Sequence, residues 1–215
     1  MNTKTTPVKE RLTLTDFLRA NTQFIIDPVV TFLARYRLSP DLLTVLGMLT
    51  HFGFAYLIAL GQWRWASIAV AFLAPLDAFD GALARKLGRK QGGFGAFLDS
   101  TLDRLAEIIL FGGFVYFYVD LPNGGGKGML AVAYIAITGS IMVSYARSRA
   151  EALGLSCKVG LFSRVERYFV LNVFLFFNRP DIGLIILAIG TYITLGQRMF
   201  HVWRQAVAQD TEEVG

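Results

Sequence analysis

The chain has 215 residues, of which 54% are hydrophobic and only 17% charged, with a formal net charge of +5. Soluble domains carry nearer a quarter charged residues, so a soluble fold would have to hide several long apolar runs behind few charges. The composition therefore argues against a soluble globular protein, and against a nucleic-acid-binding one, whose basic residues would need a soluble domain to carry them.

In chain order, residues 1–10 read as unstructured. No cleavable signal peptide is visible, so the first membrane helix is expected to act as the insertion signal. Residues 15–37, "TDFLRANTQFIIDPVVTFLARYR", mix apolar and charged positions. They read as an amphipathic helix lying in the cytoplasmic interface, kinked at Pro28. In "LSPDLLT", Ser39 or Asp41 can cap a helix that Pro40 is suited to begin. Six apolar stretches follow, at 42–60, 64–84, 94–119, 129–146, 166–178 and 182–200. They are read against the ~20 residues that cross a bilayer. The fifth is the shortest, and spans only if Val165 and Arg167 sit at the interface.

"LPNGGGKG" (121–128) is a turn on the far side. It lacks the following Lys-Ser/Thr and helix start of a P-loop. The single cysteine, Cys157, can build neither a disulfide nor a thiolate metal site, and reads as an inert thiol. The fold class is thus all-α: a six-transmembrane-helix bundle with an N-terminal interfacial amphipathic helix. Residues 1–41 form the tail and interfacial helix, 42–205 the six-span domain, and 206–215 a C-terminal tail.

Orientation follows from the basic residues. Of the 21 lysines and arginines, 17 fall in segments that this layout puts on one side, and only Arg64, Lys127 and Arg179 fall in the opposite loops. The basic side is cytoplasmic and holds both termini. The same charge attracts anionic lipid.

Between the second and third stretches the sequence reads "DAFDGALARKLGRKQGGFGAFLDSTLDR", residues 77–104. At helical spacing Asp77, Asp80, Gly81 and Ala84 share one face, and Gly95, Asp99 and Asp103 form an i, i+4, i+8 stripe. Consecutive antiparallel helices bring the two stripes together at the cytoplasmic rim. Acids placed so near a bilayer core are functional by default. Clustered carboxylates need cations between them, and two hard divalent ions about 3.5–4 Å apart would clamp the oxygens of a phosphoryl displacement. Gly81, Ala84 and Gly95 leave room for a nucleotide or phosphate, and Arg85 offers a planar donor at the mouth. Helices merely tied by Asp–Arg pairs, through Arg85 and Arg104, would not need the small residues at the same spacing.

These residues resemble the signature of the CDP-alcohol phosphatidyltransferases, D-x-x-D-G-x-x-A-R…G-x-x-x-D-x-x-x-D. "P40-D-L-L-T44" is similar to the family's P-N-x-x-T, with Asp41 in place of the usual asparagine. The resemblance covers about residues 35–205. It implies that a CDP-linked lipid, such as CDP-diacylglycerol, gives its phosphatidyl group to an alcohol with release of CMP. It implies that Asp77, Asp80, Asp99 and Asp103 hold Mg²⁺ or Mn²⁺, two ions, with Asp103 as general base. Pro40, Thr44, Asp77, Gly81, Ala84, Arg85 and Gly95 are then expected to bind the CDP-lipid, and the protein to be a homodimer.

The acceptor is read from "SYARSRAEALGLSCKVGLFSRVERY", residues 144–168. Arg164 and Arg167 stand one turn apart at a helix start, where free amides and the dipole also favour an anion. With Arg149 they point to a phosphorylated acceptor rather than serine or free inositol; alternatively they only obey the positive-inside rule. The segment is similar to the phosphatidylinositol phosphate synthase branch of the family, in Arg149-Ala150-Glu151, Gly160-Leu161, Arg164 and Glu166-Arg167. Inositol 1-phosphate is the acceptor this implies. Glycerol-3-phosphate, and with it phosphatidylglycerophosphate synthesis, is the enzymatic alternative. A divalent-metal transporter is the alternative of another class, against which the rim position of the aspartates argues. His51, mid-span, reads as a packing or interhelical hydrogen-bonding residue rather than a ligand, and His201 as interfacial. Glu107 extends the Asp99–Asp103 stripe one turn deeper, with a partner inside the bundle.

Overall fold

In a computed structural model of the chain, residues 27–36, 38–73, 76–88, 93–122 and 126–214 are described, with side chains at all of them except 76–78 and 210–214. Every element among them is a helix: α1 (27–35), α2 (Pro40–Ala59), α3 (Trp63–Leu73), α4 (Leu76–Lys86), α5 (Gly93–Val119), α6 (Lys127–Ala152), α7 (Arg164–Phe176) and α8 (Pro180–Val214).

The first half of the expected amphipathic helix lies outside the described residues. Its second half is α1, with Val30 buried and Val29, Phe32 and Tyr36 exposed. Lys86 of α4 hydrogen-bonds Thr31, joining α1 to the helix that carries Asp77 and Asp80. Ser39 takes the N-cap position of α2 and Pro40 its first turn, where proline's missing amide costs nothing. Gly61, at φ +68°, turns the chain out of α2 toward α3.

The stretch expected as one span at 64–84 holds two 11-residue helices, α3 and α4, and residues 74 and 75 between them lie outside the described residues. α8 runs on well past the expected membrane boundary at residue 200.

Among the described residues three helices are long and apolar enough to cross a membrane: Pro40–Ala59, Lys127–Ala152 and Pro180–Gln209. The chain is an integral membrane protein. The other helices fall short of that standard for identifiable reasons. α3 has 11 residues and α7 has 13, roughly 16–20 Å of helix at 1.5 Å per residue. α5 has 27 residues but carries Asp99, Asp103, Arg104 and Glu107.

The core joins α2, α3, α5, α6, α7 and α8 through residues such as Ile58, Leu110, Phe114, Leu175 and Leu184, all at most 1% exposed. Trp63 stacks on Phe114 at 6.0 Å, a ring arrangement that adds to area burial. Glycines set the closest approaches. A Cβ on Gly113 of α5 would lie 2.4 Å from the carbonyl oxygen of Ala55 on α2, and one on Gly139 of α6 would lie 2.2 Å from Thr191 Oγ1 on α8. Small residues let helix backbones meet where lipid gives no hydrophobic drive to association. Large apolar side chains lie instead on the outside, among them Phe72, Tyr134 and Ile189.

Candidate active site

The first turns of α2 organise one end of the bundle. Thr44 lies one turn beyond Pro40, which is buried, and its hydroxyl donates to Asp80 Oδ2 at 2.7 Å. Asp80, on α4, is only 7% exposed. Asp41, on the same turn of α2, faces α5: a Cβ on Gly95 would lie 3.4 Å from Asp41 Oδ1. Gly81 is one residue beyond Asp80, and a Cβ there would lie 3.5 Å from Arg85 Nη1. Ala84 is half-buried and Arg85 is exposed on the last turn of α4. Two of the small residues therefore adjoin polar groups, Gly95 the Asp41 carboxylate of α2 and Gly81 the Arg85 guanidinium one turn along α4.

On α5, Asp99 and Asp103 follow one another at helical spacing, both half-buried. Asp103 Oδ2 receives Arg164 Nη1 at 2.7 Å and Arg104 Nη1 at 3.4 Å. Arg164, at the first position of α7 after its N-cap Ser163, also has its guanidinium carbon 5.6 Å from the centre of the Tyr168 ring. That cation–π contact and the ion pair hold it from two sides. The Tyr168 hydroxyl in turn meets His51 Nε2 at 3.2 Å. His51 Nδ1 lies 3.0 Å from the Gly47 carbonyl, which can only accept, so Nδ1 donates there and Nε2 is left to the tyrosine hydroxyl. His51 thus bridges α2 to Tyr168 of α7, as an interhelical hydrogen-bonding residue.

The expected placements divide as follows. α2, α4, α5 and α7 bring Thr44 to Asp80, Asp41 to Gly95, and Arg164 to Asp103. Asp77 is on α4, but its side chain lies outside the described residues. Among the described residues no three His, Cys, Asp or Glu side chains are gathered as a metal nest. The donor chemistry nonetheless fits a hard divalent ion. The candidates are all carboxylates, and Asp80 and Asp103 already receive the outer hydrogen bonds that steady ligand carboxylates.

Arg167 departs from its expected place on an acceptor phosphate. It is 3% exposed and faces inward. Its Nε and Nη2 fork onto Glu107 at 3.1 and 3.4 Å, Nη2 also reaches Ser144 Oγ at 3.3 Å, and Nη1 donates to the Phe162 carbonyl at 3.3 Å. Four of its five N–H donors are spent inside the bundle. Glu107 accordingly finds its partners inside the bundle in Arg167 and Ser140. Arg149 is exposed on the last turn of α6.

The loop before α7 was unreadable from sequence. Its backbone is bonded to side chains of α8: Phe162 N–H to Thr194 Oγ1 (3.0 Å), Leu161 N–H to Gln197 (3.2 Å), the Val159 carbonyl to Arg198 Nε (2.9 Å), and both backbone groups of Ser156 to Gln205 (3.1 and 2.6 Å). Gly160, at φ +118°, lets the chain pass Thr194, whose Cγ2 would lie 2.4 Å from a Cβ there. The signal in the sequence is four polar side chains, Thr194, Gln197, Arg198 and Gln205, on one face of α8. Cys157, within this loop, is fully buried, and burial pushes its thiol pKa up. That keeps it protonated and unreactive.

The family model of the CDP-alcohol phosphatidyltransferases matches residues 37–204. A phosphatidylinositol phosphate synthase of Streptomyces avermitilis is 34% identical, over 95% of this chain and 88% of its own. An archaetidylinositol phosphate synthase of Pyrococcus horikoshii is 39% identical, over 78% and 85%. Among solved structures, Mycobacterium tuberculosis phosphatidylinositol phosphate synthase with CDP-DAG bound superposes with a TM-score of 0.76 at 29% identity, covering 83% of this chain and 94% of that one. The same enzyme in complex with manganese and citrate also gives 0.76 at 29% identity, covering 83% and 88%.

Proposed function

The chain belongs to the CDP-alcohol phosphatidyltransferase family, and from that membership we propose that it transfers the phosphatidyl group of CDP-diacylglycerol to inositol 1-phosphate, releasing CMP. It is a metal-dependent phosphotransferase of phospholipid synthesis. The observation that carries the acceptor reading is the 2.7 Å contact between Arg164 and Asp103. It sets a cationic donor beside the carboxylate best placed to take a proton from an acceptor hydroxyl. An acceptor that carries its own phosphate meets both groups at once. A neutral acceptor has no use for the arginine.

In the reaction the acceptor hydroxyl oxygen forms a bond to the lipid-side phosphorus, and the bridging P–O bond to CMP breaks. CMP leaves with the bridging oxygen, and the hydroxyl proton passes to Asp103. Asp77, Asp80, Asp99 and Asp103 are the proposed ligands of two divalent ions, Mg²⁺ or Mn²⁺, which supply charge neutralisation at the pyrophosphate oxygens when bound. Thr44 holds the Asp80 carboxylate for that task. Pro40, Gly81, Ala84, Arg85 and Gly95 line the CDP-lipid side. Arg149 and Arg164 take the acceptor phosphate, with Arg164 freed from Asp103 as the phosphate arrives.

Six segments are proposed to cross the membrane, with α3 and α4 together as one crossing and residues 42–205 as one domain. α1 lies in the interface, both termini and the site face the cytoplasm, and the protein is a homodimer. One substrate is water-soluble and the other lipid, so the site opens to the cytoplasm and sideways to the bilayer.

The test is an acceptor panel on purified protein with labelled CDP-diacylglycerol: inositol 1-phosphate, glycerol-3-phosphate, inositol and serine. CMP release with inositol 1-phosphate alone is expected. Preference for glycerol-3-phosphate would move the enzyme to phosphatidylglycerophosphate synthesis, and ion transport without CMP would remove it from the enzymes. Arg164→Ala should raise the KM for the phosphorylated acceptor at least about tenfold, the scale of a lost charge-assisted hydrogen bond, and leave the KM for the CDP-lipid within about twofold.

A further inference from the structure

A second Arg–carboxylate pair lies one turn along both helices from Asp103–Arg164. Glu107 follows Asp103 on α5 at i+4, and Arg167 follows Arg164 on α7 at i+3. They are 4% and 3% exposed, among the most buried charged groups described. Glu107 Oε1 accepts from Ser140 of α6 at 2.5 Å and from Arg167 Nε at 3.1 Å. Arg167 closes the network through Glu107 Oε2, Ser144 of α6 and the Phe162 carbonyl, in the loop that leads directly into Arg164. Three helices and the acceptor loop therefore meet on one ion pair.

Two charges out of water in a membrane bundle are costly unless each satisfies the other. A shift of α7 along α5 by one residue would leave both charges buried and unpaired. The pair therefore admits one register of α7 on α5. That register also decides whether Arg164 meets Asp103, since the two contacts lie on the same faces of the same helices.

We propose that Glu107 and Arg167 are positioning residues: their buried pair fixes α7 against α5 and thereby aims Arg164 and the acceptor at Asp103. This rests on the acceptor reading above. It differs from a phosphate-binding role for Arg167, because the guanidinium has too few donors left to fork onto a phosphate. It also assigns a function to Glu107, which touches no substrate.

The experiment measures steady-state transfer from CDP-diacylglycerol to inositol 1-phosphate by the full-length enzyme in nanodiscs. It compares wild type, Glu107→Gln, Arg167→Gln, the double variant and Arg167→Lys. Each single neutral variant is expected to lower kcat about tenfold or more, as a misplaced reacting group does. The KM for CDP-lipid should stay within about twofold. The double variant should be no worse than the worse single one, because both remove the same pair. Wild-type kcat in Glu107→Gln overturns the proposal. So does an Arg167→Gln variant whose acceptor KM rises about tenfold while that of Glu107→Gln does not move, since that assigns Arg167 to the phosphate.

Where a single neutral variant fails to fold, Arg167→Lys decides, since it keeps the charge and loses the fork. Reduced kcat at unchanged CDP-lipid KM supports positioning, and wild-type kcat removes it. If the wild-type enzyme uses another phosphorylated acceptor, the acceptor reading fails by itself, and the same comparison made with that acceptor still judges the pair.

Discussion

Thr44 is expected from its motif to touch the CDP-lipid, but what it touches here is a candidate ligand, Asp80, at 2.7 Å. A hydroxyl donated to a carboxylate fixes which oxygen faces outward and lowers the cost of holding that charge half out of water. Thr44→Val keeps the shape and the helix position while deleting the donor. The divalent-ion concentration for half-maximal activity should rise by about tenfold, at the low end of what loss of such an outer contact costs. A titration of CMP release against Mg²⁺ or Mn²⁺ checks it, and an unchanged midpoint would leave Thr44 to the nucleotide alone. At this scale the sequence spoke unevenly. The aspartates stand out because acids at helical intervals beside a membrane demand an explanation. Arg167 reads from sequence as an anion ligand because a basic residue at a helix start looks the same whether it points out to an anion or in to a buried acid. Glu107, 60 residues away, is the deciding partner, and nothing local marks the pair.

Among the elements, the contact between α2 and α5 matters most to the site, because Asp41 and Thr44 sit on one and Gly95, Asp99 and Asp103 on the other. Gly113 makes that contact close: a Cβ there would lie 2.4 Å from a backbone oxygen and 2.9 Å from Cα of Ala55, atoms that cannot swing aside. Gly113→Val should force the helices apart, costing about 1–3 kcal/mol as overpacking typically does. Because Gly113 is several turns from the aspartates, transmission through the rigid helices should also lower activity. The check is a thermal midpoint in detergent together with CMP release; full activity at full stability would show that the two helices can part without disturbing the site. Helix existence was readable here, since each of the six apolar stretches contains at least one helix. Two features were not: the unbroken run of α8 past residue 200, and the lacing of the 155–163 loop onto α8. The lacing depends on backbone groups, which carry no sequence of their own.

For the molecule as a whole, the open quantity is how many times the chain crosses the bilayer. Among the described residues three helices qualify by length and hydropathy alone. Three crossings by those helices would put both termini on opposite sides, while six crossings return them to the same side. The positive-inside count favours six, and so does the chemistry, since Arg164 at the start of α7 must lie at the same face as Asp103 near the start of α5, as their 2.7 Å contact requires. That contact also sets direction in the six-crossing arrangement: with α5 and α7 both starting from one face, α6 between them crosses once, from the far face back to the near one. Lys127 and Arg179 would then share the far face, and Lys158 and Gln209 the near one. Cys157 is the sole cysteine and is fully buried, so Cys157→Ser supplies a blank background. Single cysteines placed at Lys127, Lys158, Arg179 and Gln209, all exposed, should then divide by pair. In intact cells a membrane-impermeant thiol reagent should label positions 127 and 179, and reach 158 and 209 only after the membrane is opened. Labelling of 209 together with 127 from outside would place the C-terminus on the far face, which the six-crossing arrangement with a cytoplasmic site does not survive.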